Sequence, residues 1–347
     1  MKIKYHSFIT KEKNKQILYL ISAPLKLILK IIKFFRNKTE LHNLKYKNYY
    51  INLNWFGRFG NNIQQLLLAY TNIKEHKIKV NLDDNFKSYL LNIGLDLKKL
   101  NKILNNQYEF NSDKDVAIPK YFFFFNETPI FFNKKYTRVR YSNSLINLLR
   151  VDSYTNESDL FKNLNSSVKK LSPIFKDLIA ANYNNKLESF YKSEEVCFLH
   201  LRWGDINNKN QKHFVTNPYS YYKWLRGFFS KIIIITEPGE KHILLERICE
   251  LFDVLKIQNS ENFIEDFATI AKCKNLATSG VSTFPIAASI FNENLENFYC
   301  SNIYLKEHLN PNFLGSNINK VGFDCNTYWK EWFNSNKIDR YKLILNS

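Results

Sequence analysis

The 347-residue chain is short of the residues that interrupt or staple a fold. It has nine glycines, eight prolines and one methionine. So little Gly and Pro excludes a collagen-like, linker-rich or low-complexity polymer and points to packed structure. The five cysteines (Cys197, Cys249, Cys273, Cys300 and Cys325) are widely separated and form no C-x-x-C, which argues against a structural zinc site. Their odd number suits a reducing compartment better than a disulfide framework. Acidic residues are also few, 32 against 50 Lys and Arg, for a formal charge of +18. Such a chain attracts polyanions: nucleic acid, an anionic membrane surface or a phosphate-bearing substrate.

What is present is apolar and aromatic. Hydrophobic residues make up 45% of the chain and aromatics 16%, enough at this length for a large core and two domains. In the N-terminal segment the longest uncharged apolar run, Ile17 to Leu25, is too short to cross a bilayer. Lys26, Lys30 and Lys33 share one helical face there, while Ile28, Leu29, Ile31, Ile32, Phe34 and Phe35 cover much of the rest. Residues 16–36 therefore read as a basic amphipathic helix lying on an anionic membrane surface, the alternative being a helix packed on the protein's own core. A signal peptide fits less well, because the charged leader is long and no A-x-A site follows.

Further along, residues 48–83 read as strand, glycine turn, helix, strand, with strands at 49–53 and 78–82 and a helix at 63–76. Helices are expected around 87–103 and 171–183, with a buried aromatic strand at 121–125. From residue 195 strands (196–201, 231–236, 253–257, 275–277, 298–300) alternate with helices (219–229, 241–252, 264–272, 284–291). This is the pattern of a doubly wound parallel sheet. Four segments result: an amphipathic, membrane-surface segment at 1–47, a first α/β domain at 48–188, a second at 189–310, and a tail at 311–347 expected to pack back on the first domain.

Three clusters carry chemistry, each just after a strand, where parallel sheets bind ligands. Gly57-Arg58-Phe59-Gly60-Asn61-Asn62 opens a helix and could bring backbone N–H groups to an anion; a ligand-free turn explains it equally well. His200-Leu201-Arg202-Trp203-Gly204-Asp205 gathers an imidazole, a guanidinium suited to phosphate and a carboxylate that could orient the Arg or act as a base, the alternative being an Arg–Asp pair that only caps the strand. Thr278-Ser279-Gly280-Val281-Ser282-Thr283-Phe284 offers hydroxyls and N–H groups at a helix start, or an ordinary cap box. Two anion cradles and an Arg suggest a diphosphate ligand whose departure they would stabilise electrostatically, without metal. The D-x-D at Asp113-Lys114-Asp115 lies in a polar stretch and reads as a solvated turn. Asp83-Asp84 reads as a helix cap. His213 and His308 lack partners at metal spacing, so no metal site is assigned.

These clusters, in this order, resemble the fucosyltransferase superfamily and most closely the bacterial alpha-1,2-fucosyltransferases, over about residues 50–300. GRFGNN at 57–62 is similar to the family's G-x-[LF]-G-N-Q, and HLRWGD at 200–205 to H-x-R-R-G-D. His213 with Pro218, Tyr221 and Tyr222 resembles the segment that follows. IIIITEPG at 232–239 is similar to the strand ending in Ser-Asp-Asp, and DFATIAKCKNLATSGVSTF at 266–284 to the last motif. Trp203, Glu237-Pro238, Asn62 and Pro285-Ile286 depart from the family pattern.

The resemblance implies an α/β GT-B fold, with two Rossmann-like domains facing across a cleft. It implies inverting transfer of L-fucose from GDP-beta-L-fucose to a glycan acceptor, with no cofactor and no metal. It would place Arg202 on the donor phosphates, His200 near the nucleoside, Asp266 on guanine, Ser282 and Thr283 on the beta-phosphate, and Arg58, Gly60 and Asn61 along the cleft. Asp205 is the first candidate for the general base, the departing phosphate the other. The expected setting is a cytoplasmic enzyme, peripheral on the inner face of the cytoplasmic membrane, building a surface glycan such as O-antigen or capsule on an acceptor that could be lipid-linked. A transferase using another nucleotide sugar and a basic nucleic-acid-binding protein are the competing readings. Against the latter, the basic residues are dispersed and no RNP, KH or zinc signature occurs.

Overall fold

The computed structural model describes residues 49–53, 58–76, 79–105, 116–117, 157–203, 214–239, 241–304 and 309–347. The expected helix at 16–36, the aromatic strand at 121–125, Asp113 to Asp115, and His213 and His308 lie outside these residues.

The first unit begins with β1 (Tyr49–Leu53), α1 (Phe59–His76) and β2 (Lys79–Leu82). It continues with α2 (Asp84–Asn92), α3 (Leu97–Asn105) and β3 (Val116–Ala117). Its sheet is parallel in the order β2-β1-β3. Asp83 starts α2 as a cap, its carboxylate accepting the Phe86 N–H at 2.7 Å. A long helix, α4 (Glu157–Asn182), leads to the second unit.

That unit runs β4 (Val196–Leu201), α5 (Tyr219–Arg226), β5 (Lys231–Thr236), α6 (Leu245–Leu251), β6 (Asp253–Gln258) and α7 (Phe263–Ile270). It ends with β7 (Asn275–Thr278), α8 (Thr283–Ile290), β8 (Asn297–Ser301), β9 (Asn319–Phe323), α9 (Asn326–Asn334) and α10 (Lys337–Asn346). The six strands are parallel in the order β6-β5-β4-β7-β8-β9. The chain winds outward from β4 in both directions, so the crevice for a ligand opens between the carboxyl ends of β4 and β7.

The central strands are buried on both faces, which is why they read as unbroken apolar runs. Along β4 the pleat sends Val196 and Phe198 to one core, and Cys197, Leu199 and Leu201 to the other. The first core joins the two units: Phe59 of α1 meets Phe267 of α7 edge-on at 5.0 Å, and Phe175 of α4 stacks on Phe291 at 4.2 Å. The second core lies beneath α5, α6, α9 and α10.

The α/β arrangement of two parallel-sheet units facing across a cleft is the one expected. The tail is not placed as expected. Residues 319–323 add the sixth strand to the second sheet, and the Tyr328 hydroxyl donates to the Thr216 carbonyl at 2.8 Å. Tyr328, Trp332 and Ile344 fill the second core, so 319–347 complete the second unit instead of returning to the first. Helix α1 also starts earlier than expected, taking in Gly60, Asn61 and Asn62.

Candidate functional site

A cavity of about 390 Å³ opens where the carboxyl ends of β4, β5 and β7 face the N-terminus of α1. That volume suits a small organic ligand. Arg58, Asn61, His200, Arg202, Asp266, Ser282 and Thr283 all line it. Residues from sequence segments more than a hundred positions apart thus share one wall.

Helices α1 and α8 both begin at this space, so their positive dipole ends converge there. They meet at Gly60. A Cβ on Gly60 would lie 2.7 Å from the Phe284 nitrogen and from the Thr283 carbonyl carbon, so only glycine allows α1 and α8 this approach. Next to it, the Thr283 hydroxyl donates to the Asn61 side-chain carbonyl at 2.7 Å. Gly60 does not line the cavity itself; it sets the spacing of the residues that do. The Ser282 hydroxyl is buried and has no hydrogen-bond partner among the described residues.

Arg202 follows β4 directly. Its backbone N–H donates to the Ser279 hydroxyl at 3.0 Å, and the Ser279 N–H donates to the His200 carbonyl at 3.0 Å, which ties the ends of β4 and β7 together. The Arg202 guanidinium sits 4.7 Å from the centre of the Phe214 ring. Phe214 is carried in by the segment that follows. There Thr216 bridges Gly280, and the Val281 N–H donates to the Val215 carbonyl at 3.0 Å. Gly280 has φ +135, and a Cβ there would lie 2.1 Å from the Val215 oxygen.

His200 stacks on Phe284 with ring centres 5.5 Å apart. Burial, with Arg202 and Arg58 nearby, pushes its pKa down to about 3, so the ring is neutral. Asp266 behaves oppositely. Burial pushes its carboxyl up to about 7; Gln258, donating at 2.6 Å, opposes this, and Glu265 and Glu237 add to it. The site therefore has a cationic grouping around His200 and an acidic one around Asp266.

Several residues here are not among the site candidates read from the sequence. Glu237 forms an ion pair with Arg58. Phe263, Phe284, Phe214 and Tyr89 supply ring surface to the walls. Gln258 reaches Asp266 from the end of β6 while its own carbonyl accepts from the Asn184 amide at 3.1 Å. Trp203, expected within the cluster, turns to the other face and packs on His242 at 5.1 Å and Tyr341 at 5.7 Å. Gly57, Gly204 and Asp205 lie outside the described residues. Among the described residues no group of three His, Cys, Asp or Glu could hold a metal ion, and no helix is long and apolar enough to cross a membrane.

No protein-family model matches the chain, and no curated protein does. Among solved structures it is similar to POFUT1 in complex with GDP-fucose, at 10% identity over 80% of this chain and 98% of that one, with a TM-score of 0.38. It is similar to NodZ alpha-1,6-fucosyltransferase soaked with GDP-fucose, at 12% identity over 71% and 93%, with a TM-score of 0.35. It is also similar to E. coli heptosyltransferase WaaC with ADP-2-deoxy-2-fluoro heptose, at 11% identity over 79% and 92%, with a TM-score of 0.35.

Proposed function

We propose that the chain is an inverting glycosyltransferase that moves L-fucose from GDP-beta-L-fucose to a sugar hydroxyl, forming an alpha-1,2 linkage. One observation carries this reading: from the three motifs that resemble the fucosyltransferase superfamily, Arg58, Asn61, His200, Arg202, Ser282 and Thr283 line a single cavity at the start of two helices. In this role Arg202, Arg58 and the N–H groups at the start of α8 neutralise the diphosphate as the bond to the sugar breaks. Ser282 and Thr283 hold its terminal phosphate. Neutral His200, flat against Phe284, supports the nucleoside, and Asp266 accepts hydrogen bonds from the base. The acceptor proton goes to Asp205 or to the departing phosphate.

The acceptor in this proposal is a surface glycan built on a lipid carrier at the inner face of the cytoplasmic membrane, with residues 16–36 resting on anionic headgroups. Transfer is proposed to need no metal, so chelator should leave the rate unchanged.

The test is thermal stability with GDP, UDP, CMP and ADP. A nucleotide at 100 times its dissociation constant should stabilise the fold by about 2.7 kcal/mol. GDP alone should do so, and radiolabelled fucose should then pass from GDP-fucose to a glycan acceptor. Stabilisation by another nucleotide would move the assignment to a transferase with a different donor. Salt-sensitive binding of arbitrary oligonucleotides with no response to any nucleotide would replace it with nucleic-acid binding.

A further inference from the structure

Glu237 is the residue after β5, and its carboxylate pairs with the Arg58 guanidinium at the start of α1. The two are 179 positions apart, and the pair links the second unit to the first. Both residues line the cavity. The Arg58 side chain is about half exposed and that of Glu237 about one-fifth, so water and a ligand can reach the pair. Asp266 shares the cavity and is pushed toward its neutral form partly by Glu237.

We propose that Glu237 is an internal competitor for the anion site. Its carboxylate occupies Arg58 until a pyrophosphate group displaces it, and so sets how much negative charge a ligand needs to enter. This rests on the nucleotide-sugar reading and adds a specificity-determining residue to it. The physical grounds are two. An exposed ion pair is worth little, so a multiply charged ligand backed by a second Arg and two helix N-termini can break it. A carboxylate left beside a bound diphosphate repels it, so Glu237 opposes binding before and after the exchange. A neutral nucleoside would leave the Arg58–Glu237 pair intact and gain nothing from Arg58.

Calorimetric titration of the full chain with inorganic pyrophosphate and with guanosine tests this on wild type, Glu237→Gln, Arg58→Gln and the double variant. Glu237→Gln should bind pyrophosphate about five- to tenfold more tightly at low salt, an effect of roughly 1 kcal/mol. It should bind guanosine no differently. In the Arg58→Gln background at least half of that gain, in log units, should vanish, because no guanidinium remains to be released. Glu237→Ala should change affinity in the same direction, so the answer does not hang on one variant. Unchanged or weaker pyrophosphate binding by Glu237→Gln would overturn the competitor role and leave the donor reading standing. An equal gain with and without Arg58 would reduce Glu237 to a repelling charge and also overturn it. A wild-type protein that binds neither GDP nor pyrophosphate would remove the nucleotide-sugar reading and the competitor with it.

Discussion

Gly60 of α1 and Phe284 of α8 touch through their backbones, with no room for a methyl group between them. A Cβ built on Gly60 would lie 2.7 Å from the Phe284 nitrogen. Replacing a helical glycine by alanine ordinarily stabilises by about 1 kcal/mol. Here the sign should reverse. Gly60→Ala must push the two helices apart, at a cost of about 1–3 kcal/mol, and must stretch the bond from Thr283 to Asn61. Denaturant unfolding reads the first effect and nucleotide titration the second. A stabilised Gly60→Ala that still binds nucleotide would show that the helix contact is dispensable.

Arg202 is buried, and the hydrogen bond that ties it to Ser279 uses its backbone N–H, not its side chain. Arg202→Ala should therefore keep the link between β4 and β7, and with it the fold, while losing the guanidinium over Phe214. Diphosphate binding should weaken about 100-fold or more, as expected for a buried charge-assisted contact worth 2–5 kcal/mol. Arg202→Lys should recover part of the binding but not the forked geometry. Normal turnover by Arg202→Ala would remove Arg202 from the site.

Much of this site is legible in the amino-acid sequence, because a parallel sheet places the residues after its strands at the ligand edge. Arg202 and Ser282 follow β4 and β7, so their meeting requires only the right strands, and those strands announce themselves as apolar runs. The Arg58–Glu237 pair has no such signal, since it depends on how two separately wound units face each other. Trp203 belongs to the 200–205 cluster in sequence but not to the cavity, because consecutive residues leaving a strand point to opposite faces. Strand β9 escapes the pattern because Asn319–Phe323 is a short edge strand with no fully buried position, and its two alternating apolar side chains, Val321 and Phe323, are too few to announce it. Without that strand the tail has no visible tie to the second sheet, and it reads as belonging to the wrong unit. Helix α1 reads as starting too late because Gly60 looks like a turn residue, whereas it marks a close helix contact.

The Asp266 carboxyl titrates at about 7 in the fold against 3.8 for an ordinary aspartate, chiefly through burial. Its neutral form is the one the fold tolerates. The stability it contributes is thus complete below about pH 4 and is lost as pH rises through 7. Asp266→Asn should be more stable than wild type at pH 8–9, by no more than about 4 kcal/mol, and the gap should close toward pH 4. Gln258 favours the ionised form, so Gln258→Leu should move the titration midpoint upward. Asp266 as acceptor of hydrogen bonds from the base predicts that guanosine, which carries no titrating phosphate, binds more tightly as pH rises through 7, and that Asp266→Asn removes the rise. Carbon-detected NMR of the carboxyl would give the midpoint directly; a value near 4 would refute the burial argument.

His242 tests the same physics away from the cavity. It is buried between Trp203 and Tyr222, its Nδ1 accepts the Leu244 N–H at 3.1 Å, and desolvation pushes its pKa down to about 3. An imidazole held neutral adds stability that is full above its unfolded pKa of about 6.5 and drains away as pH falls toward 3. His200 has the same direction, from burial first and from Arg202 and Arg58 after it. Together they predict acid sensitivity that begins near pH 6.5, each histidine adding a slope of up to about 1.4 kcal/mol per pH unit. His242→Gln should keep an acceptor for the Leu244 N–H and remove one of the two protons. It should be less stable than wild type at pH 7.5 but lose stability less steeply between pH 6 and pH 4. Parallel stability curves for the two proteins would mean that His242 takes up no proton on unfolding, and that desolvation does not hold its imidazole neutral in the fold.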